Sequence, residues 1–212
     1  MCATLCVGML KSEQSMKNVF FMLSCLRFLP HIASFCLFKD RVTKDLDAWI
    51  ASIDDTRNYR SRLKAYCWLL ANLMEYRSLL YFRLGRLGSV LKLFAKPMPT
   101  CFFETFSRNV GGGLVVHHGH SMRLAADLVG KNLQVWHNVT IGKARSGGKR
   151  PVIGNNVRVF TGSVVLGNIT IGNNVTIGAN SVVLKSVPDN CVVVGNPAHI
   201  VKKDGVRCDE RL

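Results

Sequence analysis

Three histidines, His117, His118 and His120, fall within four positions of the stretch GGGLVVHHGH. An imidazole titrates near neutral pH, so a neutral one within reach of a hydroxyl can take its proton as that oxygen attacks a carbonyl. One of the three is a candidate general base, and the others are candidate contacts to the acceptor. A base of this kind works with an acid that fixes its tautomer and steadies the imidazolium, and Glu104 is the nearest acid upstream. His137, in VWHNVT, is a further candidate for the acceptor side of the same site. In GKARSGGKRP, the cations Lys143, Arg145, Lys149 and Arg150 surround Gly147 and Gly148. Such a flexible basic arm suits the phosphates of a cofactor or an anionic substrate.

What must position these groups is a ladder of period six. Val129, Val135, Ile141, Ile153, Val159, Val165, Ile171, Ile177 and Val183 form its rungs. Four residues after most rungs comes a second small or aliphatic residue: Leu133, Val139, Val157, Ser163, Ile169, Val175, Ser181 and Val187. A helix repeats its apolar face every three to four residues and a half-buried strand every two, so a strict six means short strands separated by turns. Three hexads then close one triangular coil, and successive coils stack at about 4.8 Å. Gly154, Gly172 and Gly178 directly follow rungs, and Asn155, Asn156, Asn173 and Asn174 follow the first two of them, as corners require. The expected fold is mainly β, a parallel β-helix. The gap between Ile141 and Ile153 spans a hexad with no aliphatic rung, so residues 143–150 should extrude as a loop.

At 212 residues and a formal charge of +15, the chain suits a coil domain and a smaller region before it. The basic excess is shared evenly, since residues 1–100 carry fifteen Lys or Arg against seven acids and residues 101–212 carry thirteen against six. Anionic partners are favoured, but no aromatic-studded basic platform points to nucleic acid. The eight cysteines lack paired spacing and read as reduced core thiols, and no metal ligand spacing accompanies them. Sequons at Asn138, Asn168 and Asn174 are by-products of the hexad rather than glycosylation signals.

Residues 1–100 read as a helical region that caps the coil and joins subunits, 101–200 as the coil, and 201–212 as a C-terminal tail. Either Met1 or Met16 serves as a start. The apolar stretch Val19–Phe38 is long enough to span a bilayer, but Arg27, Pro30 and His31 near its middle favour a buried hairpin or an interfacial helix, and no cleavage site marks a signal peptide. Helical spacing recurs over Asp40–Ile53 and again over Arg60–Phe94. Arg77, Arg83, Arg86, Lys92 and Lys96 make this region a candidate for peripheral contact with an anionic membrane.

The hexads, GGGLVVHHGH, the basic loop and the run VLGNITIGNNVTIGANSVVLKSVPDNCVVVGNPAHIV resemble the hexapeptide-repeat acyltransferases. The serine acetyltransferase branch and the related acetyltransferases of colanic acid and capsule biosynthesis look nearest. The resemblance covers the last hundred residues well. It implies a left-handed coil, a homotrimer with the pairing of two trimers left open, a cytoplasmic location, acetyl-CoA as co-substrate and no metal. It also implies His118 as base, Glu104 as its partner after a one-residue deletion, and a cofactor groove along the later coils. Thr161, Gly162, Ser163, Gly178 and Ala179 would line that groove, with Lys143 and Lys185 meeting phosphates. Two departures bear on the acceptor. Serine acetyltransferases keep an aspartate, suited to the substrate's ammonium, where this chain has His117, and their loop ends Arg-His-Pro where this one ends Lys149, Arg150, Pro151. Both departures favour a sugar hydroxyl in surface-polysaccharide assembly over L-serine, the alternative being serine O-acetylation. A silent scaffold is the reading from a different class.

Overall fold

The computed structural model describes residues 27–53 and 61–212. Helices come first: α1 (Leu29–Leu37), α2 (Lys39–Ser52), α3 (Arg62–Asn72), α4 (Met74–Leu84) and α5 (Arg86–Leu91). Fifteen short strands follow, from β1 (Cys101–Phe103) to β15 (Val206–Arg211). The expected spans Met1–Gln14 and the first part of Val19–Phe38 lie outside the described residues. Among the described residues no helix is long and apolar enough to cross a membrane.

The pattern expected as one helix over Arg60–Phe94 is three. Leu73 takes an extended backbone (φ −115°, ψ 109°), closing α3 with its N–H on Leu69 and opening α4 with its carbonyl to Arg77. At Gly85 φ is +57°, which a side chain tolerates poorly, and the chain turns there into α5. Gly88 lets α5 lie against Tyr81, whose carbonyl a Cβ would strike. Ser61 caps α3 by accepting from the Lys64 N–H at 3.3 Å.

The strands coil as a left-handed parallel β-helix with three sides. Side one stacks β1, β3 (Met122–Leu124), β6 (Thr140–Gly142), β9 (Val164–Leu166) and β12 (Val182–Val183). Side two stacks β4 (Leu128–Val129), β7 (Val152–Ile153) and β10 (Thr170–Ile171), and side three stacks β2 (Val115–Val116), β5 (Gln134–Val135), β8 (Arg158–Val159), β11 (Thr176–Ile177) and β13 (Cys191–Val194). The nine rungs from Val129 to Val183 are all at most 2% exposed, which confirms that they pile up inside. Each contributes about 1.5–3 kcal/mol by leaving water.

Corners on the side two to side three edge show why the sequence repeats. A Cβ on Gly154 would lie 2.6 Å from the Gly172 carbonyl oxygen, so only glycine fits. Two residues on, Asn132, Asn156, Asn174 and Asn190 hold positive φ and link Nδ2 to Oδ1 in a column at 2.8–2.9 Å that ends on Asp204. At the C-terminal end β14 (His199–Lys203) and β15 pair antiparallel on β13, so residues 201–212 extend side three.

The helices close the other end through a buried ion pair. Arg83 meets Asp45 at 2.7 and 3.0 Å, and both side chains are under 10% exposed. Asp45 also accepts from the Gly113 and Leu114 N–H groups at 2.8 and 2.9 Å, while Arg83 donates to the carbonyls of Val110 and Gly111, each at 2.6 Å. Trp49 Nε1 donates to the Leu114 carbonyl at 2.9 Å. Backbone groups of the first coil, which lack a coil below them, are thus satisfied by side chains of α2 and α4. Arg83 therefore cannot face lipid, and neither does Arg77, which is 9% exposed; this corrects the expectation for those two cations.

Candidate functional site

The chain passes from side three to side one along a single edge, and most of the expected site residues lie on it. His117, Trp136 and Phe160 occupy the same corner position on successive coils and stack: His117 on Trp136 at 4.1 Å and Trp136 on Phe160 at 4.3 Å, with rings within about 22° of parallel. One residue further along each coil, His118 faces His137 with ring centroids 6.1 Å apart, and a His137 ring nitrogen lies 3.1 Å from Thr161 Oγ1. The twelve-residue rung gap makes these spacings irregular in sequence, yet they are regular in space.

His118 has φ +53°, in the left-handed region. Its ring is exposed, and its carbonyl accepts from the His120 N–H. His117 is half-buried and donates from Nε2 to Gln134 Oε1 at 3.4 Å. Burial lowers its pKa, with the nearby His118 acting in the same direction, so the ring is neutral at pH 7. His120 is exposed at the same corner, where its carbonyl accepts from the Asn138 N–H at 2.8 Å.

Of the expected groove residues, Thr161, Gly162, Gly178 and Ala179 lie on this edge as well. Ser163 does not face a groove. It is 0% exposed and points into the coil, where Oγ donates to the Gly178 carbonyl at 2.7 Å. The reason is register: Ser163 stands at the second inward position of its hexad.

A second group sits on the other edge of side one. Here Glu104 follows β1, the loop of residues 143–150 follows β6, and Lys185 follows β12. The loop is extruded and its cations Lys143, Arg145 and Lys149 are exposed. Arg150 donates to the Glu104 carbonyl, tying the end of the loop to the first coil. The Glu104 carboxylate meets Arg123 Nε at 3.2 Å, so the expected pair with His118 does not form within this chain; side one separates them. Lys185 Nζ donates to the Leu212 carbonyl at 2.5 Å. Among the described residues no group of His, Cys, Asp or Glu is placed to hold a metal.

Between the coil and the helices lies a cleft of about 230 Å³, lined by Trp49, Ser52, Ile53, Leu73, Glu75, Val115, Val116, His117 and His118. Glu75 was not legible as a site residue, because only the packing of α4 on the coil brings it there. Trp136 and Phe160 also went unread, although each directly follows a rung and stands one residue before His137 or Thr161.

Residues 150–185 match the family model described as bacterial transferase hexapeptide (six repeats). A serine acetyltransferase of Staphylococcus aureus is 48% identical over 101 residues, which is 46% of this chain and 47% of that protein. The chain thus spans about half the length of the curated relatives it matches. The crystal structure of a serine acetyltransferase from Brucella abortus superposes with TM-score 0.61 at 26% identity, covering 85% of this chain and 75% of that one. Its complex with coenzyme A gives TM-score 0.56 at 26% identity, with 85% and 74% covered. A Neisseria gonorrhoeae serine acetyltransferase in complex with serine gives 0.58 at 27%, with 81% and 72% covered. These relatives overturn the expectation of a sugar acceptor in surface-polysaccharide assembly. That expectation weighed two sequence positions, His117 and the end of the loop, as though they were the whole acceptor site. In sequence and in fold, the chain is similar to hexapeptide-repeat transferases, with serine acetyltransferases among its relatives.

Proposed function

We propose that this protein is an acetyl-CoA-dependent acyltransferase that acetylates the hydroxyl of L-serine. The observation that carries the reading is the imidazole pair of His118 and His137 on one coil edge, in a chain that is 48% identical over 101 residues to a serine acetyltransferase. Support for both substrates comes from similar structures solved with coenzyme A and with serine.

In this reading His118, exposed at the mouth of the cleft, is the general base. It removes the serine hydroxyl proton as the oxygen attacks the thioester carbonyl, the new C–O bond forms, the C–S bond breaks, and the proton passes to the departing thiolate. Neutral His117 and the Trp136 and Phe160 rings wall the site. Thr161, Gly162, Gly178 and Ala179 supply a flat run for the pantetheine arm, and Lys143 and Lys185 on the other edge of an adjacent chain meet the cofactor's phosphates.

We further propose a homotrimer. The expected site residues stand on two different edges of side one, which suits a site completed by a neighbour's edge. Glu104 and the basic loop would then serve an adjacent chain's His118.

Loss of the thioester absorbance of acetyl-CoA on adding L-serine tests the reading. Turnover with L-serine that His118→Ala abolishes is the expected result. A protein that binds acetyl-CoA yet transfers nothing to serine would sink it, and one that binds no acetyl-CoA at all would return the scaffold reading.

A further inference from the structure

We propose that Glu75 is the residue that recognises the acceptor's ammonium group, and hence the determinant that selects a free amino acid. The inference rests on the serine-acetylating reading above. Glu75 stands in the first turn of α4, an eleven-residue helix, and lines the same cleft as His117 and His118. Every other side chain lining that cleft is apolar, a hydroxyl or an imidazole. Among the described residues its carboxylate makes no direct hydrogen bond or close ion pair and interacts with the neighbouring Arg77 only through space, whereas the buried Asp45 and the exposed Glu104 both contact arginines directly.

Local backbone makes room for this group. Gly119 directly follows His118, and a Cβ there would lie 3.0 Å from Glu75 Cγ, so glycine lets the glutamate stem pack against the turn that carries the base. His117 is neutral because burial lowers its pKa, so no fixed positive charge on that residue competes for Glu75. A cation site and a general base in one small cleft fit an acceptor whose ammonium and hydroxyl are separated by two carbons. The volume of about 230 Å³ lies below the range typical of sites for drug-sized ligands and suits a free amino acid. The carboxylate that the sequence lacks at position 117 is thus delivered from a helix.

The test compares wild type, Glu75→Gln and Glu75→Asp with L-serine and with 3-hydroxypropanoate, the same acceptor without its ammonium. E75Q should raise the KM for L-serine about a hundredfold and change kcat/KM for 3-hydroxypropanoate by no more than about twofold. E75D should recover part of the serine affinity. Circular dichroism and coenzyme A binding establish that each variant is folded. Equal losses on both acceptors would place Glu75 with the base rather than with the ammonium, and an unchanged serine KM would leave it no role; either result overturns the proposal. A wild-type protein inactive on L-serine would instead overturn the functional reading and this inference with it.

Discussion

Lowering the pH from 7 to 5 should destabilise the helical layer through one residue, His31. Its side chain is 0% exposed, Nε2 donates to Tyr81 Oη at 2.8 Å, and Tyr81 Oη donates in turn to the Ala95 carbonyl at 2.8 Å. Nδ1 has no partner, so a second proton there would be a buried charge with no acceptor. Burial first, then the nearby cations Arg77 and Arg27, lower its pKa from 6.5 to about 4. The fold therefore favours the neutral ring. Its contribution is complete above the unfolded value near 6.5 and is lost as pH falls toward 4. Each factor of ten in proton affinity is about 1.4 kcal/mol, so the full loss is about 3 kcal/mol and about 2 kcal/mol of it is gone by pH 5. Urea unfolding at both pH values, at fixed protein concentration, isolates the effect when wild type is compared with His31→Gln, whose neutral amide can still donate to Tyr81. The variant should be less sensitive to acid by about 2 kcal/mol. Parallel pH dependence in the two proteins would refute the reasoning.

Other expectations follow from the same geometry. His118→Ala should lower kcat about 10²- to 10⁴-fold while coenzyme A binding, read by calorimetry, is retained; full activity would remove the base. Gly154→Ala puts a methyl group 2.6 Å from the Gly172 carbonyl and should cost about 1–3 kcal/mol by thermal unfolding, whereas an unchanged midpoint would contradict the corner packing. Asp45→Ala leaves Arg83 buried without a counter-ion and two N–H groups of the first coil without an acceptor; a loss of about 3–5 kcal/mol is expected, and retained stability would deny that this pair closes the coil.

The coil was legible because its signal is local and repeated. Each rung from Val129 to Val183 reports the same inward position, and Gly154 and Asn156 report the same corner at every turn. The helices were legible as apolar stripes, but their ends were not, since Leu73 carries no breaking signal and only Gly85 marks a stop. Arg83 read as a surface cation because its partner Asp45 lies on another helix and its other contacts are backbone carbonyls of the first coil. Ser163 was misassigned for the opposite reason: its small size drew attention while its rung phase, already fixed by the ladder, placed it inside. The histidines were found by their spacing and by the resemblance of the stretch that holds them. Glu75 was not, because its meaning depends on where α4 packs, and packing between helix and coil leaves no period in the sequence.

The most direct test of the central claim is to incubate the purified chain with acetyl-CoA labelled in its acetyl group and L-serine, and to identify the product by mass spectrometry. The account predicts labelled O-acetyl-L-serine, formed in step with free coenzyme A and absent with His118→Ala. Turnover of acetyl-CoA onto a different acceptor, with serine recovered unchanged, would contradict it.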